Sequence, residues 1–281
     1  MVDSTAFTVH DIDILTESDR QLNLRLFKPK ILKNVPIVLD LHGGAWVKGA
    51  YEECFARDEA FAKVGIAAAS LDFRDAEHGY PSSSIDINYA IRWFKANADE
   101  LGLDAERVGV TGQSSGGHLA MLAGMRPNDP QYSTLALPDG SLLMDASVRA
   151  VAMNWPVINP LSRYHNALKG RQAGLGWVGD IPERHDLYWK TEEAMEEGNP
   201  MLILERGEDV LTPPAIWVQG RPDPVHDYRD PNGIVDLNEP DRFVENYRKA
   251  GGEIELLDLE YETREALSSD PQIAFFSKQF G

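Results

Sequence analysis

The chain has 281 residues, enough for one large α/β domain or for a core domain that carries a small cap. Its 45 Asp and Glu against 27 Lys and Arg give a formal net charge of -18, which disfavours binding to nucleic acid or to an anionic membrane surface. Cys54 is the single cysteine, which excludes an internal disulfide and a cysteine-based metal cluster.

The sequence carries no signal for secretion or for a membrane span. Residues 1–11 lack a basic region that leads into an apolar run. No stretch approaches the roughly 18 consecutive apolar residues that a spanning helix requires. We therefore expect a cytoplasmic protein whose partner is a small-molecule, ester-like substrate, and the sequence leaves open whether the chain forms a homo-oligomer.

Strand-like and helix-like segments alternate along the chain, which is typical of an α/β fold with a mostly parallel sheet covered by helices. A hairpin is predicted over Phe7–Leu15 and Leu22–Lys28, with Thr16–Arg20 as its turn. Further strands are predicted at 35–41, 65–72, 108–111, 148–154, 215–219 and 254–259. Helices are predicted at 55–63, 85–101, 116–124 and 270–280, the last with Asp270 as N-cap and Pro271 at its first position.

The pattern changes between Pro156 and Pro213. This segment contains several aromatic residues and short helix-like pieces, and it has no apolar run that reads as a buried strand. Because it lies between two predicted core strands, we expect residues 156–211 to fold over the sheet as a cap. The cap would be an insertion within a single domain that spans residues 1–281.

Residues 112–116, Gly-Gln-Ser-Ser-Gly, follow a predicted strand and open a predicted helix. This context is the one that a nucleophile elbow requires, because small residues on both sides let the backbone make a strained turn that exposes the serine hydroxyl. The five-residue pattern alone is common by chance. Together with the strand and the helix it identifies Ser114 as a candidate nucleophile.

Residues 42–46, His-Gly-Gly-Ala-Trp, follow the strand predicted at 35–41. Glycines at this place let backbone amides turn toward a developing oxyanion, which a bulky residue would obstruct. The predicted donors are the amides of Gly43, Gly44 and Ser115. A simple tight turn is the alternative interpretation of the glycine pair.

Several motifs together resemble the hormone-sensitive-lipase-like branch of the α/β-hydrolases, which contains bacterial acyl esterases. They are HGGAW at 42–46, GQSSGGHLA at 112–120, Pro81, Asp86, Ala90 and Trp93 in the intervening helix, WPVINPLSRY at 155–164 and GRPDPVHD at 220–227. The resemblance covers most of residues 35–260. It implies a sheet of about eight strands, ester hydrolysis through an acyl-serine intermediate, and a cap that shapes the acyl pocket. It also places the triad acid at Asp223, with Asp227 as the alternative carboxylate.

The sequence departs from this family at the triad histidine. In this fold the order is Ser, acid, His, with the histidine in the loop after the last strand. The corresponding loop, residues 260–267, contains no histidine, and the position that resembles the family's histidine falls near Thr263 to Glu265. A serine hydroxyl is a poor nucleophile without an adjacent base, so another group must take the proton.

Among the remaining histidines, His226 lies closest to Asp223 and is the candidate base. A solvent-exposed turn is the alternative role for it, and Glu262 or Glu265 could also supply a carboxylate base. We expect His42 to support the oxyanion turn and His118 to pack beneath the elbow. His165 and His185 are expected in the wall or on the surface of the cap.

The predicted function is hydrolysis of small or medium acyl esters, or of a lactone, by Ser114 with Asp223 and His226, through an atypical or weakened triad. Trp46, Trp177 and Trp189 are the candidate substrate-binding residues. No cofactor or metal is expected. The alternatives are a non-hydrolytic small-molecule binding protein and a lyase-type enzyme, because a hydrolase scaffold alone does not determine function.

Overall fold

The computed structural model describes residues 6–17, 20–30, 33–138, 144–260 and 269–281. Eight strands form one sheet in the order β1-β2-β4-β3-β5-β6-β7-β8. The strands are β1 (Phe7–Glu17), β2 (Arg20–Pro29), β3 (Val35–Leu41), β4 (Ala67–Leu71), β5 (Leu103–Gln113), β6 (Ala150–Asn154), β7 (Ala215–Arg221) and β8 (Ile254–Glu260). Strand β2 pairs antiparallel with β1 and β4, and the pairs from β4 to β8 are parallel. The predicted fold class is therefore confirmed.

Helices cover both faces of this sheet, and most of them lie between successive strands in the chain. They are α1 (Phe55–Lys63), α2 (Ser82–Ala96), α3 (Ala98–Leu101), α4 (Ser115–Met125), α5 (Pro160–Gln172), α6 (Ile181–Trp189), α7 (Glu192–Glu197), α8 (Pro200–Glu205), α9 (Glu239–Lys249) and α10 (Asp270–Phe280). Strands β3, β4 and β6 and residues 108–112 of β5 are buried on both faces, as expected for parallel strands between helix layers. No described helix is both long enough and apolar enough to cross a bilayer.

The carboxyl ends of the central parallel strands position the candidate site. Strand β3 leads into the turn at 42–46, β5 leads directly into α4 through Ser114, and β7 leads into the loop that contains Asp223. Since these strands are neighbours in the sheet, apart from β6 between β5 and β7, their loops meet at one edge. The fold therefore brings together three segments that lie far apart in sequence.

The chain between β6 and β7 contains α5 to α8 and, within the described residues 155–214, no strand. Helices α5 and α8 begin with proline, and their N-caps Asn159 and Asn199 accept hydrogen bonds from backbone amides. Helix α6 follows Asp180 and has proline as its second residue. Helix α5 packs against α6, and α8 packs against α4 and α9. That this segment is a cap over a substrate stays a prediction.

The structure differs from several predicted elements. Thr16, Glu17 and Arg20 pair in β1 and β2 and do not form the predicted turn, and β5 begins at Leu103 and not at residue 108. The helix predicted over 85–101 begins earlier and is divided at Asn97 into α2 and α3. The closing helix has its predicted bounds, but Ser269 is its N-cap, so Asp270 is the first helical residue and not the cap. Helix α9 was not predicted, although Phe243, Val244 and Tyr247 have the spacing of one buried helical face.

Glu239 joins the start of α9 to α5 through a buried polar contact. Ser162 Oγ donates to Glu239 Oε1 over 3.1 Å, and Arg242 Nη1 lies 3.2 Å from the same oxygen. Burial raises the pKa of Glu239 from 4.5 to about 7, although Arg242 opposes this shift. Arg242 also binds Glu205 and Asp230. Because it interacts with three carboxylates, its positive charge stabilises the ionised form of Glu239 less, which favours the raised pKa of Glu239.

The raised pKa of Glu239 predicts a specific dependence of stability on pH. Between pH 4.5 and about 7 the unfolded chain ionises this carboxyl while the folded chain keeps it protonated, so its contribution is complete below that range and is lost as pH rises through it. We expect wild type to lose up to about 3 kcal/mol of unfolding free energy relative to Glu239→Gln across this range. Urea unfolding of both proteins at about pH 5 and about pH 8 measures this; an unchanged difference would contradict it.

Candidate active site

The backbone at Ser114 has the strained conformation of an elbow. Ser114 has φ 52° and ψ -117°, outside the regions that a serine normally occupies. A Cβ on Gly112 would lie 2.4 Å from the Gly116 backbone, and a Cβ on Gly116 would lie 2.3 Å from Leu41 O. The flanking glycines therefore let α4 approach β3 and β5 closely. Strain of this kind costs about 1–3 kcal/mol and is typical of functional sites.

Ser114, His226 and Asp223 form one hydrogen-bonded chain of side chains. Ser114 Oγ lies 3.0 Å from His226 Nε2, and His226 Nδ1 lies 2.9 Å from Asp223 Oδ2. The carboxylate accepts a hydrogen bond from the protonated Nδ1, so Nε2 carries no proton and can accept the hydrogen bond of the serine hydroxyl. The structure thus brings together the three residues that the sequence suggested as nucleophile, acid and base.

The turn after β7 explains how a histidine three residues after an aspartate can reach the serine. Asp223 Oδ1 accepts from the backbone amides of Val225 at 3.1 Å and of His226 at 3.3 Å, so the carboxylate holds its own turn. The amide of Asp227 also donates to Asp223 O over 2.7 Å. Val225 packs against the cluster of Ala167, Val178 and Ile181 from the segment between β6 and β7. These contacts fix the loop that carries His226.

The other candidate acid and bases lie elsewhere. Asp227 accepts from Arg221 Nε and from Asn238 Nδ2, each over 2.8 Å, and is not the partner of His226 in this turn. Glu262 and Glu265 lie outside the described residues. The expected position near Thr263 to Glu265 for the family's histidine lies outside them as well.

The remaining histidines have structural contacts. His42 Nδ1 lies 2.8 Å from Gly43 O and its ring stacks on Phe73 at 4.4 Å, which supports the turn at 42–46. His118 is buried in α4, directly beneath the elbow. His165 Nε2 lies 3.2 Å from Glu192 Oε1, and His185 Nδ1 donates to Ile181 O of its own helix over 2.8 Å.

The two glycines of the turn at 42–46 lie against the elbow. A Cβ on Gly43 would be 3.4 Å from Ser114 Cβ, so the Gly43 backbone is in contact with the candidate nucleophile. Gly44 has φ 109°, a conformation that L-residues rarely adopt. Ser115 is the first residue of α4, where backbone amides have no partner within the helix. The amides of Gly43 and Gly44 donate to none of the described residues.

The two glycines should tolerate substitution very differently. A Cβ on Gly44 would lie 1.6 Å from Lys48 O, whereas the closest contact at Gly43 is 3.2 Å, from Gln113 O. We therefore expect Gly44→Ala to lower the unfolding free energy by at least about 2 kcal/mol more than Gly43→Ala, which needs only a small shift. Urea unfolding of the matched pair tests this expectation. Equal stabilities would show that the turn has another backbone conformation.

The three tryptophans expected to bind substrate lie at different depths. Trp46 is 1% exposed and Trp189 is 2% exposed, and both belong to one aromatic cluster. Such burial leaves no side-chain surface for a ligand, so the structure does not support direct substrate contact by these two. Trp177 is half-buried and packs beside Val178, Ile181 and Val225. The prediction that these tryptophans contact substrate depends on residue type alone. Residue type does not distinguish a side chain that lines a pocket from one that is buried behind the pocket wall.

Two buried arginines near the site were not singled out from the sequence. Arg163 in α5 is 3% exposed, and among the described residues its Nε and Nη1 have no hydrogen-bond partner. Burial lowers the pKa of Arg163 to about 10, while the charges of Tyr228 and Asp223 oppose that shift, so a buried cation lies near Asp223. Arg57 binds Asp40 with two contacts of 2.6 Å and donates to Gln113 Oε1 over 3.3 Å, next to Ser114.

The described residues contain no group of three or more His, Cys, Asp or Glu side chains arranged to hold a metal ion. A serine hydroxyl bonded to an imidazole, with a carboxylate on the other ring nitrogen, is able to attack a carbonyl carbon. Binding of the oxygen of that carbonyl by the neighbouring glycine amides stays a prediction.

Comparison with known proteins identifies the family of the chain. Residues 24–231 match the BD-FAE family. Esterase LipC of Mycobacterium tuberculosis is 38% identical over 147 residues, which are 51% of this chain and 36% of that protein. An arylesterase of Saccharolobus solfataricus is 31% identical over 216 residues, 74% of this chain and 64% of that protein. The chain thus matches less than two thirds of the length of either relative.

Solved structures share the fold over nearly the whole chain. A Pyrobaculum calidifontis esterase superimposes with a TM-score of 0.72 at 21% sequence identity, covering 96% of this chain and 85% of that one. At this identity the likeness concerns the fold.

Proposed function

The chain belongs to the BD-FAE family and has the α/β-hydrolase fold, and on that premise we propose that it hydrolyses carboxylic esters with Ser114 as the nucleophile. The observation that carries the proposal is the contact of 3.0 Å between Ser114 Oγ and His226 Nε2, continued over 2.9 Å to Asp223. The esterase names of its relatives support the same reaction class.

In the acylation step, Ser114 Oγ attacks the ester carbonyl carbon while His226 Nε2 takes the hydroxyl proton. Asp223 keeps the other ring proton on Nδ1 and stabilises the imidazolium that forms. The amides of Gly43, Gly44 and Ser115 bind the negative oxygen of the tetrahedral intermediate. The intermediate collapses when His226 gives its proton to the leaving alcohol, which produces the acyl-serine.

In the deacylation step, a water molecule takes the place of the alcohol. His226 removes its proton as it attacks the acyl carbon, and then returns that proton to Ser114 Oγ as the carboxylic acid leaves. Each proton therefore moves through one imidazole. We propose that the triad is atypical in chain position only, because His226 and Asp223 come from one turn, and that it is not weakened in composition.

The segment 156–211 is the proposed cap within a single domain of residues 1–281. The packing of Val225 on Ala167, Val178 and Ile181 supports this proposal, since it connects the segment to the loop that carries His226. The half-buried Trp177 in the same cluster is its proposed substrate contact. Small or medium acyl esters, or a lactone, are the proposed substrates.

Turnover of p-nitrophenyl acetate and p-nitrophenyl butyrate tests the proposed function. We expect saturable release of p-nitrophenol by wild type and none above background by Ser114→Ala. Saturable binding of a small apolar ester that is the same in both proteins, without turnover, would overturn the proposal in favour of a binding protein. Elimination without an acyl-serine would instead indicate a lyase.

A further inference from the structure

We propose that His118 is a positioning residue for ester hydrolysis, which holds the oxyanion turn in place through the indole of Trp46. Trp46 Nε1 donates to His118 Nδ1 over 3.2 Å, and His118 Nε2 donates to Gly198 O over 2.7 Å. The inference rests on the proposed function, because it concerns the turn that is to bind the oxyanion.

The turn needs such support because three successive residues have positive φ and two of them have side chains. Gly44, Ala45 and Trp46 have φ values of 109°, 53° and 61°. Ala45 and Trp46 have side chains and would relax to negative φ unless other contacts held them. The carbonyl of Trp46 accepts from Ala76 N over 2.8 Å, which fixes the backbone at this residue on one side.

The indole of Trp46 fixes the other side. Its ring lies 5.2 Å from the rings of His118, His185 and Trp189 and 6.0 Å from that of Tyr188. His118 belongs to α4, the helix that begins at the elbow, whereas the other three rings belong to α6. Ring packing resists a change in volume, but only the hydrogen bond to His118 fixes the direction of the indole.

The protonation of His118 follows from its partners. An indole nitrogen can only donate and a backbone carbonyl can only accept, so His118 must be neutral with its proton on Nε2. Burial lowers the pKa of His118 to about 4, which keeps this form at neutral pH. The ring of His118 therefore connects Gly198, which follows α7, with the oxyanion turn. Because His118 belongs to the helix that begins at the elbow, this connection also fixes the position of the turn relative to Ser114.

Two amide substitutions at this position separate the two hydrogen bonds. His118→Asn keeps an acceptor near the Nδ1 position for Trp46 and loses the donor to Gly198. His118→Gln keeps a donor near the Nε2 position and loses the acceptor for Trp46. Trp46→Phe keeps an aromatic ring and removes the indole donor, so it should reproduce the effect of His118→Gln.

Steady-state hydrolysis of p-nitrophenyl acetate measures the effect. We expect His118→Gln and Trp46→Phe each to lower kcat by about 10- to 100-fold while KM changes less than about twofold, because displaced amides bind the transition state poorly. His118→Asn should retain kcat to within about threefold. The double variant Trp46→Phe with His118→Gln should be no worse than either single variant, since both remove the same bond.

Thermal unfolding and a tetrahedral inhibitor complete the test. An alkyl boronic acid should bind His118→Gln more weakly by about the same factor as the loss in kcat, with the Tm of the two His118 variants similar. Equal kcat for His118→Gln and His118→Asn would overturn the inference. If His118→Gln does not fold, Trp46→Phe with wild-type kcat would overturn it. Failure of the proposed function is distinct, because wild type would then show no Ser114-dependent turnover.

Discussion

Replacing His226 with glutamine is expected to lower kcat for ester hydrolysis by about 10⁵- to 10⁶-fold, with KM little changed. The physical reason is that Ser114 would lose the group that takes its proton, 3.0 Å from its hydroxyl oxygen. The residual turnover would come from substrate binding and the oxyanion amides alone. Initial rates of p-nitrophenyl acetate hydrolysis over a wide range of enzyme concentration measure this loss.

The control for His226 is the double variant Glu262→Gln with Glu265→Gln. These two glutamates are the alternative bases suggested by the sequence, because they lie in or next to the segment Thr263 to Glu265, where the resemblance to the family implies the triad histidine. We expect the double variant to keep kcat within about threefold of wild type. The assignment of His226 would be wrong if the glutamate variant lost activity and the His226→Gln variant kept it.

The second large effect is expected at Asp223. Asp223→Asn should lower kcat by about 10⁴-fold, because an amide can offer a donor to Nδ1 and thereby move the ring proton to Nε2, where it blocks transfer from Ser114. The carboxylate also accepts from two amides of its own turn, at 3.1 Å and 3.3 Å, so the variant should hold His226 less firmly. The same hydrolysis assay measures the loss.

Asp227→Asn is the matched control in the same loop. Asp227 binds Arg221 and Asn238, each over 2.8 Å, whereas the two ring nitrogens of His226 contact Ser114 and Asp223. An asparagine keeps one acceptor oxygen, which can bind only one of these two partners. Because Arg221 also binds Asp241 and Asp258, a loss of less than about fivefold is expected. A larger loss for Asp227→Asn than for Asp223→Asn would show that the triad acid has been assigned to the wrong carboxylate.

Local sequence signals predicted the parts of the site that depend on local backbone. The glycines at 112 and 116 are required because no Cβ fits between β5, α4 and β3, and this requirement is visible in the sequence pattern. The same holds for Gly44, whose positive φ only glycine adopts easily. The strand at 35–41 and the helix at 55–63 have the predicted bounds.

Contacts between distant segments could not be derived in this way. His226 was a candidate only by its nearness to Asp223 in sequence, and its reach to Ser114 depends on the turn that Asp223 itself holds. Trp46 and Trp189 were expected to face substrate, but their burial depends on how α6 packs on the turn at 42–46. The buried position of Arg163 near Asp223 could not be predicted either, because a sequence pattern does not reveal burial for a single charged residue. A cytoplasmic location and a homo-oligomer stay predictions.

The most direct measurement is the rate at which an aryl fluorophosphonate modifies Ser114, followed by intact mass and peptide mapping. The reagent reports on nucleophile activation without requiring a particular acyl substrate. With His226 as the base, wild type gains a single adduct on Ser114 and His226→Gln reacts at least about 1,000-fold more slowly. Modification of His226→Gln at the wild-type rate would contradict the account, because Ser114 would then draw its reactivity from some other group.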